Sequence, residues 1–384
     1  MAGGRQDDAE RQRRMRQEVD EVRRRMNARA AEFAKRLLPN GRKSGNFWET
    51  SNIRDEKTGS YSLKVYLSGG KQGSWSDFGL ARGQAGASGD ILSLYVDREW
   101  KGDFAKGFAE AKRLVGVEHM NDADFARSQA ESDRLRQEAE IAEAEAREVK
   151  RTSARRLWNG SARIAGPDGR TPALDYLEGR AINLAQLGRA PGSLRFNPSV
   201  WCVEVAERDG RAHAKIPAMI ACVMGLDGEL RGVHRTYLDV SAGKGGPVTK
   251  ARLNDAKLTL GPSLGGHIPL WKGEHRHPLR NIPPGTDVYM SEGIEDGLSI
   301  AMVRPSLRVI AGVSLGKMGA VELPSQMGAL VIIGQNDMKP EPIEALERAI
   351  AEQQNKGRTV RTIYPPQQFK DFNDMLTGKE RGHE

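Results

Sequence analysis

The sequence predicts an α/β chain of several domains, closing in a mostly parallel sheet. Three observations carry this. From about residue 284, short runs of branched apolar residues alternate with helical stretches, the rhythm of strand–helix–strand units with right-handed crossovers. Between residues 40 and 117, aromatic residues fall in short runs separated by Gly, Ser, Asn and Asp, as in a small β-rich domain. Between these regions, residues 121–158 contain no Gly or Pro and are dominated by Ala, Glu, Arg and Gln, which predicts one long helix with a weak apolar stripe.

Taken in order, residues 5–38 read as one arginine-dense helix, either a solvated helix or a basic arm lying on nucleic acid. Residues 62–67 alternate as a half-buried strand and end at Gly69-Gly70, a turn signal. A short stretch at 75–78 precedes a glycine-rich loop at 83–89, and helices from residue 90 and over 104–114 close the domain. After the long helix, residues 172–180 predict a short helix. Residues 218–224 predict an apolar strand, and Asp227-Gly228 turns it into a hairpin partner at 230–238. The last region predicts strands at 288–290, 307–310, 329–333 and 359–364, with helices at 294–302 and 341–354. The expected organisation is therefore a basic helical arm (1–38), a β-rich domain (39–118), a helical linker (119–160), an α+β subdomain (161–283) and the parallel-sheet domain (284–384).

Composition narrows the partners. The 384 residues carry 59 Lys and Arg against 51 Asp and Glu, a formal net charge of +8, which suits a polyanion and nucleic acid above all. The two cysteines, Cys202 and Cys222, form no CxxC, which excludes a disulfide scaffold and a cysteine-built zinc site. They read as packing residues. No signal peptide or membrane span is visible, so the expectation is a cytoplasmic protein of a bacterial cell with no membrane partner. The histidines, including His234 and the His275–His277 pair, read as ordinary surface or core residues, and Gly245-Gly246 and Gly265-Gly266 as turns rather than phosphate cradles.

Parallel sheets place their chemistry at the carboxyl ends of strands. Glu292, Asp337, Asp371 and Asp374 all follow predicted strands. Each alone reads as well as a helix cap or turn residue; together they make a set of oxygen donors for Mg²⁺ or Mn²⁺. Metal held there suits nucleotidyl transfer.

Four motifs in order give this region a family likeness. Tyr289-Met290-Ser291-Glu292-Gly293-Ile294-Glu295-Asp296 resembles the first Toprim motif, a strand followed by Glu-Gly. Gly312-Val313-Ser314-Leu315-Gly316 resembles the middle glycine turn of that fold. Val331-Ile332-Ile333-Gly334-Gln335-Asn336-Asp337 resembles its Asp-x-Asp motif, and Lys370-Asp371-Phe372-Asn373-Asp374 the closing signature of primases from phages and integrated elements. The resemblance implies a Toprim domain that makes primers on a single-stranded DNA template from NTPs. Glu292 and Asp337 would be catalytic and metal-binding, with Gln335, Asp371 and Asp374 completing the metal set. Gln335 stands where the family has its first aspartate; it keeps a carbonyl ligand but loses a charge, which lowers metal affinity. That departure leaves open a catalytically weakened nucleic-acid-binding factor of replication or phage–host conflict; a Toprim nuclease is the third reading.

Upstream, residues 230–235 and 256–262 resemble the basal subdomain that precedes Toprim in phage-type primases. The resemblance places Arg235, Lys257 and Lys370 at nucleotide and template, whereas Arg231, Lys250 and Arg252 read as solvated residues of a basic hairpin. The 39–118 segment stands where such primases carry a zinc ribbon and resembles a relative without zinc. Its Trp48, Trp75 and Phe78, interleaved with Arg42, Lys43 and Lys64, are the candidates for stacking on single-stranded DNA, one of the three aromatics being an exposed platform. No Walker motif occurs, so a replicative helicase is expected to be a separate polypeptide.

Overall fold

The computed structural model describes residues 3–57, 61–80, 87–166, 169–243 and 246–381. Gly245 and most of the glycine-rich loop (residues 83–86) lie outside the described residues. The chain divides into two compact units, residues 1–140 and 141–384.

The first unit opens with α1 (Gly3–Ala28) and α2 (Ala30–Leu37). Where the sequence predicts a single charged helix, the chain breaks at Arg29 and α2 buries Ala30, Phe33, Ala34 and Leu37. That i, i+3, i+4, i+7 spacing is a full apolar stripe, and Val22 and Met26 of α1 extend it. The segment is thus part of a core as well as a carrier of arginines. An antiparallel meander follows: β1 (Arg42–Ser44), β2 (Phe47–Thr50), β3 (Leu63–Tyr66), β4 (Ser74–Asp77) and β5 (Ser88–Asp90). Leu63, Val65 and Trp75 face the helices α3 (Ile91–Trp100) and α4 (Phe104–Leu114). Asp90 and Ser93 start α3 with a reciprocal capping box, and the Asp103 side chain caps α4. Helix α5 (Asp122–Asn159) begins in this unit and ends in the second.

In the second unit, β6 (Ala162–Arg163), a small hairpin of β7 (Ala165–Gly166) and β8 (Gly169–Arg170), and α6 (Pro172–Glu178) lead into β9 (Leu194–Trp201), α7 (Val203–Arg208), β10 (Lys215–Met224) and β11 (Leu230–Asp239). The short β12 (Thr249–Lys250) and β13 (Lys257–Leu260) both pair with β11.

The last sheet is formed by β14 (Ile268–Trp271), β15 (Val288–Ser291), β16 (Arg308–Ala311), β17 (Leu330–Ile333) and β18 (Val360–Ile363), in the order β14-β16-β15-β17-β18. All pairs are parallel except β14 with β16. Helix α8 (Ile294–Val303) covers one face, packing Ile294 and Leu298 with Val309, Ala311 and Ile333. Helix α10 (Pro340–Asn355) covers the other, packing Leu346 and Ala349 with Met290, Leu330 and Ile332. The short α9 (Leu315–Met318) and α11 (Phe372–Thr377) complete the unit.

Strand β14 belongs to this sheet, although the sequence groups it with the preceding subdomain. Its Ile268 and Leu270 share one core with Met219, Ala221 and Val223 of β10, so no break in the core falls near residue 284.

Candidate functional site

Neighbouring strands β15 and β17 send their chains to helices on opposite faces of the sheet, which opens a crevice at their carboxyl ends. Their register is level, with Ser291 opposite Ile333. The residues that follow, Glu292 and Gly334-Gln335, therefore leave the sheet side by side. A cavity of about 230 Å³ lies there. Glu292, Asp296 and Asp371 form its acidic wall together with the neutral Gln335, with Lys370 beside them, and Arg180, His234, Lys250 and Lys257 contribute from the preceding subdomain.

Burial pushes the Glu292 carboxyl above its usual range; the Leu315 backbone N–H and Lys257 work against this, and the nearby charge of Asp337 adds to it. Asp337 is thus within electrostatic reach of Glu292, though it does not line the cavity. Asp296, four residues after Glu292, goes unmarked in the sequence reading. Its carboxyl is pushed up to about 7 by burial and then by the charge of Asp371. Gln335 donates Nε2–H to Asp296 Oδ2 at 2.7 Å, and the Asn373 backbone N–H donates to Oδ1 at 3.1 Å.

Asp371 caps α11, accepting the Asp374 backbone N–H at 2.7 Å, so the cap role and the place in the cavity coexist. Asp374 lines a separate cleft with Tyr176, Arg180 and Lys250. The Asn336 side chain fastens the two acidic loops together, donating to the Pro365 and Phe369 carbonyls at 3.0 Å each.

The basic wall differs from the one expected. Side chains alternate across a strand, and in β11 the pleat turns His234 to the cavity. Arg235 points the other way, with its guanidinium 5.7 Å from the Tyr237 ring, and does not line the cavity. Lys250, expected in solvent, does line it, and burial lowers its ammonium below the usual lysine range. Burial also holds His234 neutral, down to about 4. Lys257 Nζ donates to Glu295 Oε2 at 3.0 Å, while the Tyr176 hydroxyl donates to Oε1 at 2.6 Å. Burial alone would discharge Glu295, but Lys257 and Tyr176 outweigh it and hold the carboxyl at about 2. A carboxylate on the first turn of α8 thereby ties together β13 and α6.

The donors suit a hard divalent cation: all are oxygens, and the Glu292 and Asp296 carboxyls are raised first by burial and then by neighbouring carboxylates, both costs that a bound cation would relieve. Among the described residues, no three His, Cys, Asp or Glu side chains stand close enough to hold an ion by themselves. Mg²⁺ does not need such a cage, since it keeps several waters and binds through one or two carboxylates plus substrate phosphates.

In the first unit, Trp75 is 2 % exposed and belongs to the core, and the half-buried Trp48 donates Nε1–H to the Leu38 carbonyl at 2.9 Å. Both are committed inward, which removes them as stacking platforms. Phe78 is 66 % exposed. Lys64 pairs with Glu49 at 2.9 Å, Arg42 lies over the Tyr61 ring at 4.0 Å, and Lys43 is solvent-exposed. Cys202 and Cys222 are buried free thiols.

Residues 287–382 match the Toprim domain family. This region is a Toprim domain. Residues 148–270 match a domain of unknown function, DUF7146. None of the curated proteins compared matches the chain. Solved structures similar to it include the Aquifex aeolicus primase, comprising zinc-binding and RNA polymerase domains (12 % identity, 94 % of this chain and 82 % of that one, TM-score 0.39). A DnaG primase catalytic domain bound to ssDNA is another (14 % identity, 62 % and 76 %, TM-score 0.40). A third is the primase fragment of the bacteriophage T7 primase-helicase (15 % identity, 48 % and 71 %, TM-score 0.28). No described helix is long and apolar enough to cross a membrane.

Proposed function

We propose that the chain is a primase-like nucleotidyltransferase that makes short primers on single-stranded DNA at the Toprim cavity. The observation that carries this reading is the pairing of charges in one crevice, with Glu292, Asp296 and Asp371 on one side and Arg180, Lys250 and Lys257 on the other. A nucleoside triphosphate needs both, cations for its phosphates and carboxylates for the metal that accompanies them.

In this reading Lys250 and Arg180 grip phosphate oxygens, and Lys370 sits at the rim toward the template. Lys257, fixed by Glu295, presents its charge at a set position rather than as a mobile tether. Glu292, with its carboxyl raised by burial, is placed to take the proton from an attacking 3′-hydroxyl, since a base works best with a pKa drawn toward the working pH. Glu292 and Asp337 would hold Mg²⁺ or Mn²⁺, joined by Asp371 and Asp296; Asp374, in its separate cleft, would act from the second shell of waters. When bound, the metal stabilises the charge of the departing pyrophosphate.

A second reading, a nucleic-acid-binding factor without chemistry, draws on the Gln335–Asp296 hydrogen bond, which supplies a neutral partner where a charged ligand would serve catalysis. One assay separates them. The full chain is incubated with single-stranded DNA, labelled NTPs and Mg²⁺ or Mn²⁺. The proposal expects new oligomers, with Glu292→Ala lowering the rate by roughly a thousandfold or more while template binding persists. Cleaved template would favour a nuclease instead, and bound but unchanged template the non-catalytic factor.

A further inference from the structure

We propose that His234 is a specificity-determining residue of the Toprim cavity, its imidazole holding the ribose 2′-hydroxyl of an incoming nucleoside triphosphate and so selecting ribonucleotides over deoxyribonucleotides. This rests on the primase-like reading above and gives a role to a side chain that the metal and the phosphates leave unused.

The cavity lining falls into three chemical parts. Glu292, Asp296 and Asp371 offer carboxylates to a metal, and Arg180, Lys250 and Lys257 offer cations to phosphates. The third part carries no charge: Ile268, Ile294, Val313 and His234. The first three belong to one buried core, and His234 stands opposite Ala221 of that core in the β10–β11 pairing. The sugar of a nucleoside triphosphate is likewise uncharged. It needs apolar surface for its carbons and a few placed polar groups for its hydroxyls.

The other neutral polar side chains of the lining are already committed. Gln335 donates to Asp296, and Asn373 donates to the Arg180 carbonyl and the Ser299 hydroxyl. His234 is 6 % exposed, and its Nδ1 is enclosed with no hydrogen-bond partner among the described residues. An enclosed N–H without an acceptor is the costlier orphan, so the proton belongs on Nε2, the nitrogen left toward the cavity. The ring therefore presents an uncharged donor. A metal ion does not suit it, because Lys257 and Lys317 oppose positive charge there. A phosphate gains more from Arg180, Lys250 and Lys257 than from a neutral ring. A sugar hydroxyl fits. The 3′-hydroxyl is common to both kinds of nucleotide, whereas a missing 2′-hydroxyl would leave the buried N–H unpaired. A site that commits a buried polar group to a substrate hydroxyl rejects the analogue lacking it.

The test is calorimetric titration of the full chain with ATP, 2′-dATP and 3′-dATP, in Mg²⁺ and without template. ATP and 3′-dATP should bind alike, and 2′-dATP about tenfold or more weakly. His234→Leu, of similar volume and without a polar atom, should bring ATP down to the level of 2′-dATP. It should not melt below the parent, since it removes an unpaired buried group. Should it melt early, ¹⁵N-histidine spectra of the parent decide: the His234 Nε2 resonance, assigned by its loss in His234→Gln, should shift with ATP and not with 2′-dATP. In the primer assay, His234→Leu should lower the ATP to 2′-dATP ratio of kcat/KM by the same factor. Equal binding of all three nucleotides, selection against 3′-dATP instead, or parental selectivity in His234→Leu would overturn the proposal. A chain that prefers ATP through His234 and makes no primers would refute the catalytic reading and leave this one standing. Primers made equally well from both nucleotides would do the reverse.

Discussion

Two regions of the cavity wall, one peptide bond apart on α8, treat a buried carboxyl in opposite ways. Glu295 faces the preceding subdomain, where Lys257 and the Tyr176 hydroxyl meet both its oxygens, and it remains a carboxylate down to about 2. Asp296 faces the strand ends of the Toprim domain. Its partners there are the uncharged Gln335 and a backbone N–H, Asp371 stands nearby, and its carboxyl rises to about 7. Both side chains are buried. What differs is whether a cation belongs to the protein. On the Glu295 side it does, and the pair is a structural clamp; on the Asp296 side the protein leaves the charge uncompensated, which fits a region built to receive a cation from outside.

The clamp gives the largest expected effect. Glu295→Ala strips the buried Tyr176 hydroxyl of its acceptor and the solvent-screened Lys257 of its counter-charge, a loss on the order of 3 kcal/mol. Chemical denaturation at pH 7 should show that loss, with a smaller one for Glu295→Gln, which can still accept from Tyr176. Because folding depresses this carboxyl, its contribution is present above the unfolded pKa near 4.5 and fades as pH falls toward 2. The variant and parent stabilities should therefore converge at acid pH. A difference that stays constant with pH would mean that Glu295 acts through packing alone.

Asp296 should behave in mirror image. Its carboxyl is raised from 3.8 to about 7, so the neutral form suits the fold and the penalty for ionising grows as pH climbs through that window. Without metal, Asp296→Asn should match the parent near pH 4 and exceed it at pH 8 by roughly 2–4 kcal/mol. Mg²⁺ should stabilise the parent at pH 8 and the variant much less. If Mg²⁺ stabilises both equally, the ion sits elsewhere and the contrast between the two carboxyls is purely structural.

How much of this was legible in the sequence follows the same physics. The strands of the last sheet announce themselves because a strand covered on both faces must be apolar throughout, as Leu330–Ile333 is, and the acids that follow them locate the crevice. Which wall a side chain faces is another matter. Arg235 and His234 are adjacent, and a one-residue change of pleat exchanges them; nothing local in the sequence sets that parity, so which of the two meets the cavity is decided only by the sheet. The i, i+3, i+4 stripe of α2 lies next to an arginine-dense segment whose charge masks its spacing. Trp48 and Trp75 are alike in this: the interleaving of rings and cations is visible in the sequence, and the inward direction of those two rings is not.

Gln335 gives the smallest and most specific expectation. Its amide now donates to Asp296; Gln335→Asp replaces that donor with a second carboxylate facing the first. Like charges at this range raise one another's pKa, so the metal-free variant should melt below the parent at pH 8. A divalent cation gains a charged ligand, and its affinity, followed by Mn²⁺ titration with electron paramagnetic resonance, should rise about tenfold, roughly 1.4 kcal/mol. Primer synthesis should rise with it if ligand charge limits the rate. Gln335→Asn, neutral and shorter, should lose the hydrogen bond without gaining metal affinity. A lower melting temperature with unchanged Mn²⁺ binding would place the two carboxylates together and the cation elsewhere, breaking the link between the uncompensated charge of Asp296 and the site of catalysis.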